Sequence, residues 1–197
     1  MSSIRLFILG SLAERGPMHG HALRLLAEEE NIDKWADVSP GAIYGAFKRL
    51  AAEQLIEPLR VEREGNYPER QVYAITSTGE ESLTRIRREA LDTVVYRHDP
   101  VDLALARLDD ASVASLEATL RERLAQVTGE LESGLVRLER ISKYLTVIEK
   151  KVLRHQVHKL MAEIAWHEEL LGALPEIVAD EKSRKGHPHD NHHSNTR

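Results

Sequence analysis

The spacing of apolar residues predicts a run of short helices at the start of the chain. Apolar side chains recur at helical intervals over residues 3–14, and a Gly-Pro pair ends that helix because both residues break helices. Leu23, Leu26 and Ala27 predict the buried face of a second helix that begins near residues 18–19. The two helices lie close together in sequence, which favours a compact helical motif.

A third helix is predicted to begin at Ser39 and to run to about Glu53. Ser39 offers an oxygen for an N-cap, and the proline after it stands at the first helical position, where its missing N–H costs nothing. Ile43, Phe47 and Leu50 share one face of this helix and are predicted to be core. Three helices this close together suit a helix-turn-helix.

After the third helix the apolar period changes from helical to alternating. Leu59 and Val61 alternate with charged residues, and the β-formers of RQVYAIT follow at 70–76. The sequence EGNYPE between them supplies the Gly, Asn and Pro of a loop. A hairpin in this place predicts a winged helix-turn-helix, with Tyr73 and Ile75 anchoring the wing to the core.

Three further helix starts carry capping signals. Thr78 and Glu81 have the spacing of a capping box, which predicts a fourth helix over residues 79–97. Asp99, followed by proline, begins a short helix, and a longer one begins at Asp109. The chain is therefore predicted to be mainly α, with one small β-hairpin.

The long C-terminal section has a sustained apolar seam of coiled-coil type. Its apolar positions recur three or four residues apart: Val113, Leu116, Leu120, Leu124, Val127, Leu131, Leu135, Leu138, Ile141, Leu145 and Ile148. The spacing continues to Leu171, so a second helix either folds back on the first or crosses to a partner subunit, with a break near residues 142–146.

A homodimer is the preferred interpretation of this seam. A two-fold protein can set two recognition helices one DNA turn, about 34 Å, apart and read a palindrome. The predicted dimer interface consists of Leu116, Leu120, Leu124, Val127, Leu131, Leu160, Ile164 and Leu171. The alternative is an intramolecular helical hairpin without a partner.

Composition narrows the function classes. The chain has 42% apolar residues and no cysteine, which allows a core and excludes disulfide scaffolds, Cys-ligated zinc and thiol catalysis. No apolar segment is long enough to span a bilayer, so we expect a cytoplasmic protein without a membrane partner. The net charge of −5 does not by itself favour nucleic acid, and residues 41–73 hold five basic and five acidic side chains.

Three stretches together resemble the PadR family of bacterial transcriptional regulators. They read MHGHALRLL, SPGAIYGAFKRLAAEQLIE and RQVYAITSTGEESL. The resemblance covers residues 3–90 by motif and residues 100–174 only by length and helicity. It implies a homodimeric repressor that binds a palindromic operator in double-stranded DNA and is released by a small aromatic effector, such as a phenolic or benzoic acid.

The resemblance also divides the chain. Residues 1–90 are predicted to be the winged helix-turn-helix DNA-binding domain, and residues 91–176 a helical, coiled-coil-like dimerisation and effector domain. Residues 177–197 are predicted to be a polar, His-rich tail that is disordered, since the sequence from Asp180 onward is almost entirely polar.

The chain departs from the family pattern at three places. Gln54 stands in the turn after the recognition helix, where the family commonly has glycine, and His21 replaces a tyrosine after the His-Gly pair. The wing loop, which is often strongly basic in the family, contains two glutamates.

The predicted DNA contacts lie on the third helix and the wing. On the helix, Gly41, Tyr44 and Lys48 share the face opposite the core, with Arg49 beside them. Small residues allow close approach to the groove, a polar aromatic contacts base or phosphate, and cations balance backbone charge. The full set is Ser39, Gly41, Ala42, Tyr44, Lys48 and Arg49 on the helix and Arg63, Asn66, Tyr67 and Arg70 on the wing. For an isolated helix, a packed tyrosine and solvated charges would be the simpler interpretation.

The candidates for an effector pocket are Trp35, Trp166 and His19, because aromatic side chains can stack on an aromatic ligand. Core packing is the competing interpretation for each of them. A hydrophobic drug-like compound is the alternative effector.

No catalytic pattern or cofactor motif is present. The sequence has no glycine-rich phosphate loop, nucleophile elbow or H-E-x-x-H, so we expect no enzymatic activity and no cofactor. The tail histidines 187, 189, 192 and 193, and the helical set His155, His158, Glu163 and His167, have no fixed metal-ligand geometry, so no metal site is predicted. The alternative of a different class is a helical adaptor whose winged domain binds protein instead of DNA.

Overall fold

The computed structural model describes residues 3–63, 69–96 and 98–185. The chain forms two compact units, Met1–Arg97 and His98–Arg197. No helix among the described residues combines the length and the apolar character needed to cross a membrane.

Three helices supply most of the buried side chains in the core of the first unit, as the apolar spacing predicts. They are α1 (Ser3–Arg15), α2 (Gly20–Glu29) and α3 (Ile43–Ala52), with short 3-10 turns at Ile32–Lys34 and Pro40–Ala42. Their inward side chains make one cluster of fully or nearly fully buried residues, which includes Ile8, Leu9, Leu12, Leu23, Ala27, Ile43, Phe47 and Leu50. The predicted core faces of α2 and α3 are therefore confirmed.

The entry to α3 differs from the prediction at Ser39. The chain makes a 3-10 turn before the α-helix, and Ser39 accepts through its backbone oxygen from the Ala42 N–H at 3.0 Å. Its side chain makes no capping hydrogen bond, so the predicted N-cap role of the Ser39 hydroxyl is wrong. Pro40 is at the first position of the turn, as expected.

The hairpin follows α3 as predicted. Strands β1 (Ile56–Glu62) and β2 (Arg70–Ile75) are antiparallel, with Ile56 opposite Ile75 and an irregularity between Pro58 and Arg60. Residues 64–68, most of the predicted loop, lie outside the described residues.

The wing is attached to the helices at Tyr73. This residue exchanges two backbone hydrogen bonds with Met18, both at 3.0 Å. Its ring packs edge-on against Phe47, with 4.9 Å between centroids. The expected anchoring role of Tyr73 and Ile75 is confirmed, since both pack against the core cluster.

Helix α4 (Ser77–Asp92) begins two residues earlier than predicted and ends five residues earlier, at Asp92 and not at residue 97. Thr76, not Thr78, is the N-cap, and its hydroxyl oxygen accepts from the Gly79 N–H at 3.0 Å. A Cβ at Gly79 would lie 2.1 Å from the Leu55 carbonyl oxygen, so only glycine allows this close approach. The capping box predicted from Thr78 and Glu81 is therefore wrong, because packing against Leu55 fixes where the helix starts.

The second unit is a helical hairpin preceded by a short helix. Helices α5 (Pro100–Leu105) and α6 (Asp110–Ile141) are capped by the side chains of Asp99 and Asp109, as predicted. A 3-10 turn at Ser142–Tyr144 separates α6 from α7 (Val147–Lys185), so the predicted break near residues 142–146 is confirmed.

Helix α7 is longer than the polar sequence suggests. It runs to Lys185, so the first residues of the segment predicted to be a disordered tail are helical. Ile177 packs against a cluster in which Leu116, Leu120 and Leu174 are buried. This contact packs the C-terminal part of α7 against α6. Residues 186–197, with the four tail histidines, lie outside the described residues.

Candidate nucleic-acid interface

One face of α3 and its entry turn is exposed. Ser39, Gly41, Ala42, Tyr44, Lys48 and Arg49 are all exposed, while Ile43, Ala46, Phe47 and Leu50 point into the core. The division of α3 into two faces is as predicted. The exposed face combines a phenol, two cations and small residues on a rigid helix.

Tyr44 is held from the side of α2. His21 Nδ1 lies 3.3 Å from the Tyr44 hydroxyl, and the ring edge approaches Gly20 so closely that a Cβ there would be 3.3 Å from Tyr44 Cδ1. The side chain of Tyr44 is nevertheless 44% exposed, so its outer edge is accessible to a ligand. His21 was not among the predicted site residues, and its exchange for the family's tyrosine was the only signal in the sequence.

His19 has a structural role in the same region. Its Nδ1 accepts a hydrogen bond from the Ala22 N–H at 2.9 Å, which makes it the N-cap of α2 and places the proton of a neutral ring on Nε2. Its ring stacks on that of His21, with 6.1 Å between centroids. Histidine is not a typical N-cap residue, so this role could not be expected from local sequence signals.

Glu53, just after α3, is paired with Arg5 of α1. The two side chains are joined by two hydrogen bonds, one from Nη1 to Oε1 at 3.0 Å and one from Nη2 to Oε2. The Arg5 hydrogen bond holds the pKa of the Glu53 carboxyl below its usual value, and the charges of Arg5 and Arg49 act in the same direction. Arg5 thus offsets a negative charge that lies close to the cationic face of α3.

The wing contributes fewer described contacts than predicted. Arg63 is exposed and Arg70 is half-buried, with Arg70 opposite Glu62 in the strand register. Arg60 forms an ion pair with Glu62, with 2.6 Å between Nη2 and Oε1. Asn66 and Tyr67 lie outside the described residues.

The two tryptophans proposed for an effector pocket lie in different units. Trp35 packs against the core of the first unit, and its indole N–H donates to the Glu30 carbonyl at 3.1 Å. Trp166, in the second unit, is half-buried and meets the ring of His167 edge-on, with 4.8 Å between centroids.

A buried histidine connects three elements of the second unit. His167 is fully buried on α7, and its Nδ1–H donates to the Glu163 carbonyl at 2.8 Å. Its Nε2 can then accept from Arg123 Nε on α6, at 3.2 Å. Arg123 also donates to Asp99 at 3.1 Å.

The hydrogen bond between Arg123 and Asp99 bears on the pKa of the Asp99 carboxyl. The pKa of the Asp99 carboxyl is lowered first by the hydrogen bond from the Val101 N–H, and then by the charge of Arg123.

No group of three or more potential metal ligands occurs among the described residues, and His155 and His158 are exposed.

The residues predicted for the dimer interface fall into two groups. Leu116 and Leu120 are buried in the cluster between α6 and α7 of one chain, so they are covered without a partner, and the half-buried Leu171 packs against this cluster. Leu124, Val127, Leu131, Leu160 and Ile164 are half-buried in the single chain.

Comparison with known proteins identifies a family domain in the first unit. Residues 8–85 match the model of the transcriptional regulator PadR-like family. A curated relative, an uncharacterized 37.1 kDa protein in a transposon of Streptomyces fradiae, is 35% identical over 81 residues. The match covers 41% of this chain and 21% of that protein, so the chain spans about a fifth of its length.

Several solved structures have the same fold. Bacillus subtilis PadR in complex with operator DNA has a TM-score of 0.68 at 19% identity, with 88% of this chain and 98% of that chain covered. The same protein in complex with p-coumaric acid has a TM-score of 0.67 at 16% identity, covering 87% and 98%. A PadR-like regulator from Bacillus cereus has a TM-score of 0.61 at 19% identity, covering 86% and 94%. The chain therefore carries a domain of the transcriptional regulator PadR-like family over residues 8–85, followed by a second, helical unit.

Proposed function

We propose that this protein is a homodimeric repressor that binds a palindromic operator and is released from it by a small aromatic acid. The observation that carries the proposal is the exposed face of α3, where Tyr44, Lys48 and Arg49 stand together on a helix whose other face is core. A helix that presents a phenol and two cations suits the major groove and its phosphates.

The acidic net charge makes the position of the cations decisive. A chain with net charge −5 has no general attraction for DNA, so affinity depends on local positive surface. The pairing of Glu53 with Arg5 preserves such a surface at the end of α3. Arg63 and Arg70 on the wing, with Asn66 and Tyr67, would add contacts to the adjacent groove or its phosphates.

A homodimer presents the exposed face of α3 twice. One winged helix with this charge balance would bind weakly, whereas two related by a two-fold axis read two half-sites together. The half-buried seam residues Leu124, Val127 and Leu131 on α6, with Leu160 and Ile164 on α7, are the positions proposed to contact the partner.

An aromatic acid is the proposed effector, with a hydrophobic drug-like compound as the second choice. Support comes from the fold shared with a regulator solved with p-coumaric acid and from the half-buried ring of Trp166. Trp35 and His19 have packing and capping roles that compete with ligand contact. The effector would act through different affinities for the DNA-bound and free arrangements.

The test is a fluorescence-anisotropy titration of the protein against the DNA just upstream of its own gene, with scrambled DNA as control. It is run at two salt concentrations, with and without a panel of phenolic and benzoic acids. We expect saturable, salt-sensitive binding that exceeds binding to scrambled DNA and weakens with one of the acids. If neither this DNA nor any sequence selected from random DNA binds better than scrambled DNA, the winged domain is a protein-interaction module and the proposal is wrong.

A further inference from the structure

His21 lies where it can control the hydrogen bonding of Tyr44. Its Nδ1 atom is 3.3 Å from the Tyr44 hydroxyl oxygen. His21 is half-buried and Tyr44 is 44% exposed, so the pair stands at the edge of the exposed face of α3. A hydroxyl and an imidazole nitrogen can each donate or accept, so the two atoms can bond in either direction.

The direction of this bond decides what Tyr44 can offer to DNA. A tyrosine hydroxyl has a single proton, so a hydroxyl that donates to Nδ1 of a neutral His21 keeps only lone pairs for its surroundings. A phosphate oxygen is an acceptor and cannot bond to such a hydroxyl. When Nδ1 carries a proton, it donates to the Tyr44 oxygen, and the hydroxyl proton is free to point outward to a phosphate or to an acceptor on a base edge.

Protonation of the ring fixes the second of these directions. Both nitrogens of an imidazolium carry protons, whereas a neutral ring carries one and can leave Nδ1 as an acceptor. The imidazolium also adds a positive charge beside α3, in a chain whose net charge is −5 when its histidines are neutral. Histidine is the side chain whose charge ordinarily changes between pH 5 and 8, so this change occurs under mild conditions.

The titratable and charged neighbours of His21 lie on α2 and α3. The ring of His19 stacks on it, and Nδ1 of His19 is already the acceptor that caps α2. The entry turn of α3, Pro40–Ala42, has no titratable side chain. The other charged groups on the two helices near this pair are the mutually paired Arg24 and Glu28 of α2 and the cations Lys48 and Arg49 of α3. A phosphate of bound DNA is therefore the anion that an imidazolium at this position meets.

We propose that operator binding is coupled to protonation of His21, and that the protonated ring directs the hydroxyl proton of Tyr44 towards DNA. The inference rests on the DNA-binding function proposed above and adds a means of regulating the same site. A phosphate beside the ring favours its charged form, and by linkage the charged ring favours the phosphate to the same extent. Affinity is therefore highest below the pH range in which the ring titrates and falls as the pH rises through it.

Two substitutions separate the charge of His21 from its shape. His21→Asn keeps a hydrogen-bonding group near the position of Nδ1 and cannot be charged, while His21→Arg carries a permanent cation. One control is His19→Asn, which removes the neighbouring imidazole and supplies a residue that caps helices well. The other is His155→Asn, at an exposed histidine of the second unit.

Fluorescence anisotropy gives the affinity of each variant for DNA from upstream of the protein's own gene, or for a duplex selected from random DNA. The titrations run at pH values from about 6 to about 8. Ionic strength is held constant, because phosphate contacts depend on salt. Thermal unfolding at each pH verifies that every variant is folded.

We expect the wild type and His155→Asn to bind roughly ten-fold more tightly near pH 6 than near pH 8, since a charge-assisted hydrogen bond is gained in each half-site. His21→Asn should bind like the wild type near pH 8 and gain little near pH 6. His21→Arg should bind more tightly than His21→Asn near pH 8 and depend as little on pH. The pH dependence should remain in His19→Asn.

Two further measurements follow the proton itself. In NMR spectra of protein with isotope-labelled histidine, the His21 ring, identified by its absence from His21→Asn, should titrate at higher pH in the DNA complex than in the free protein. In Tyr44→Phe the pH dependence of affinity should be smaller than in the wild type, because the charge remains while the hydroxyl is gone.

The possible failures can be told apart. If the wild type binds this DNA specifically but equally well at every pH, or if His21→Asn keeps the full pH dependence, the coupling is wrong while the DNA-binding function stands. Loss of the dependence in His19→Asn, or a His21 titration that DNA does not move, also overturns the coupling. A full dependence in Tyr44→Phe overturns the role given to its hydroxyl. A wild type that prefers no DNA sequence at any pH overturns the proposed function and this inference together.

Discussion

The Nδ1 atom of His21 on α2 lies 3.3 Å from the hydroxyl of Tyr44 on α3. The helix before the turn therefore holds the exposed tyrosine of the proposed recognition helix. Gly20 closes against the same ring, so the tyrosine is supported on one side and free on the other. A side chain fixed before binding loses less conformational entropy when a ligand docks on it.

Replacing Tyr44 with phenylalanine should weaken operator binding without unfolding the protein. The change removes the hydroxyl and keeps the ring that meets Gly20, so we expect affinity to fall about ten-fold, the value of one hydrogen bond to a charged phosphate. Anisotropy titration measures the affinity, and thermal unfolding checks stability.

His21→Phe is the matched change, because it removes the support and leaves the hydroxyl. His21→Phe should lower the affinity for the operator less than Tyr44→Phe does. An unchanged affinity for Tyr44→Phe would mean that the hydroxyl serves only the contact with His21, and that Tyr44 is not a polar DNA contact.

Gly79→Ala should destabilise the first unit strongly. The added methyl would lie 2.1 Å from the Leu55 carbonyl oxygen and 2.7 Å from Ile75 Cγ1, so α4 must shift away from the hairpin. We expect a loss of about 3 kcal/mol in the free energy of unfolding, at the upper end of what overpacking costs. Denaturant titration followed by circular dichroism measures it.

The control is Gly10→Ala, in helix α1 of the same unit. No atom lies within 4 Å of the position that a Cβ would take there, so the change should stabilise the helix by about 0.5–1 kcal/mol. Equal effects of the two substitutions would contradict the close contact at Gly79.

Gln54→Gly should stabilise the protein. Gln54 has φ +58° and occupies the left-handed position after α3, where the Leu55 N–H bonds to the Leu50 carbonyl and the Gln54 N–H to that of Ala51, each at 3.0 Å. This is a Schellman C-cap, in which glycine avoids the steric cost of a Cβ.

After the larger freedom of glycine in the unfolded chain is subtracted, we expect a gain of about 0.5–1 kcal/mol in thermal or denaturant unfolding. Gln54→Ala keeps the Cβ and should bring no gain. A loss of stability on Gln54→Gly would show that the glutamine side chain itself stabilises the turn.

The sequence predicted the elements that depend on local signals. The apolar faces of α2 and α3 and the caps at Asp99 and Asp109 follow from spacing and side-chain chemistry within a few residues. The start of α4 could not be predicted from such local signals, because the contact between Gly79 and the Leu55 carbonyl outweighs the capping box suggested by Thr78. Long-range packing of this kind has no local signature.

In the candidate site, too, the features within one helix could be predicted from the sequence and the contacts between helices could not. The exposed face of α3 could be predicted from one helix alone, whereas the support of Tyr44 by His21 requires two helices to meet. The apolar seam was assigned to a partner subunit, but Leu116 and Leu120 are covered by α7 of the same chain. Spacing alone indicates that a face is buried and not which helix covers it.

The ion pair between Arg5 and Glu53 should make stability depend on pH in the acid range. Its hydrogen bonds lower the pKa of the folded Glu53 carboxyl below the unfolded value of about 4.3. The contribution is therefore fully present above that value and is lost as the pH falls through the lower, folded pKa. In Glu53→Gln, the difference in stability from the wild type should shrink as the pH is lowered from 6 towards about 3. Urea titrations at a series of pH values measure it, and a difference that does not change with pH would contradict the pairing.

The salt dependence of operator binding, compared between the wild type and Lys48→Ala/Arg49→Ala, decides whether the exposed face of α3 binds DNA. If both side chains neutralise phosphates, affinity falls in the double variant. The slope of log affinity against log salt also becomes shallower, by about 0.9 for each phosphate that is no longer neutralised. Lys34→Ala is the control, since Lys34 is exposed in the same unit but belongs to the 3-10 turn Ile32–Lys34 and not to α3. We expect a weaker, less salt-sensitive interaction for the double variant alone. An affinity and slope equal to those of the wild type would show that the exposed face of α3 does not bind DNA.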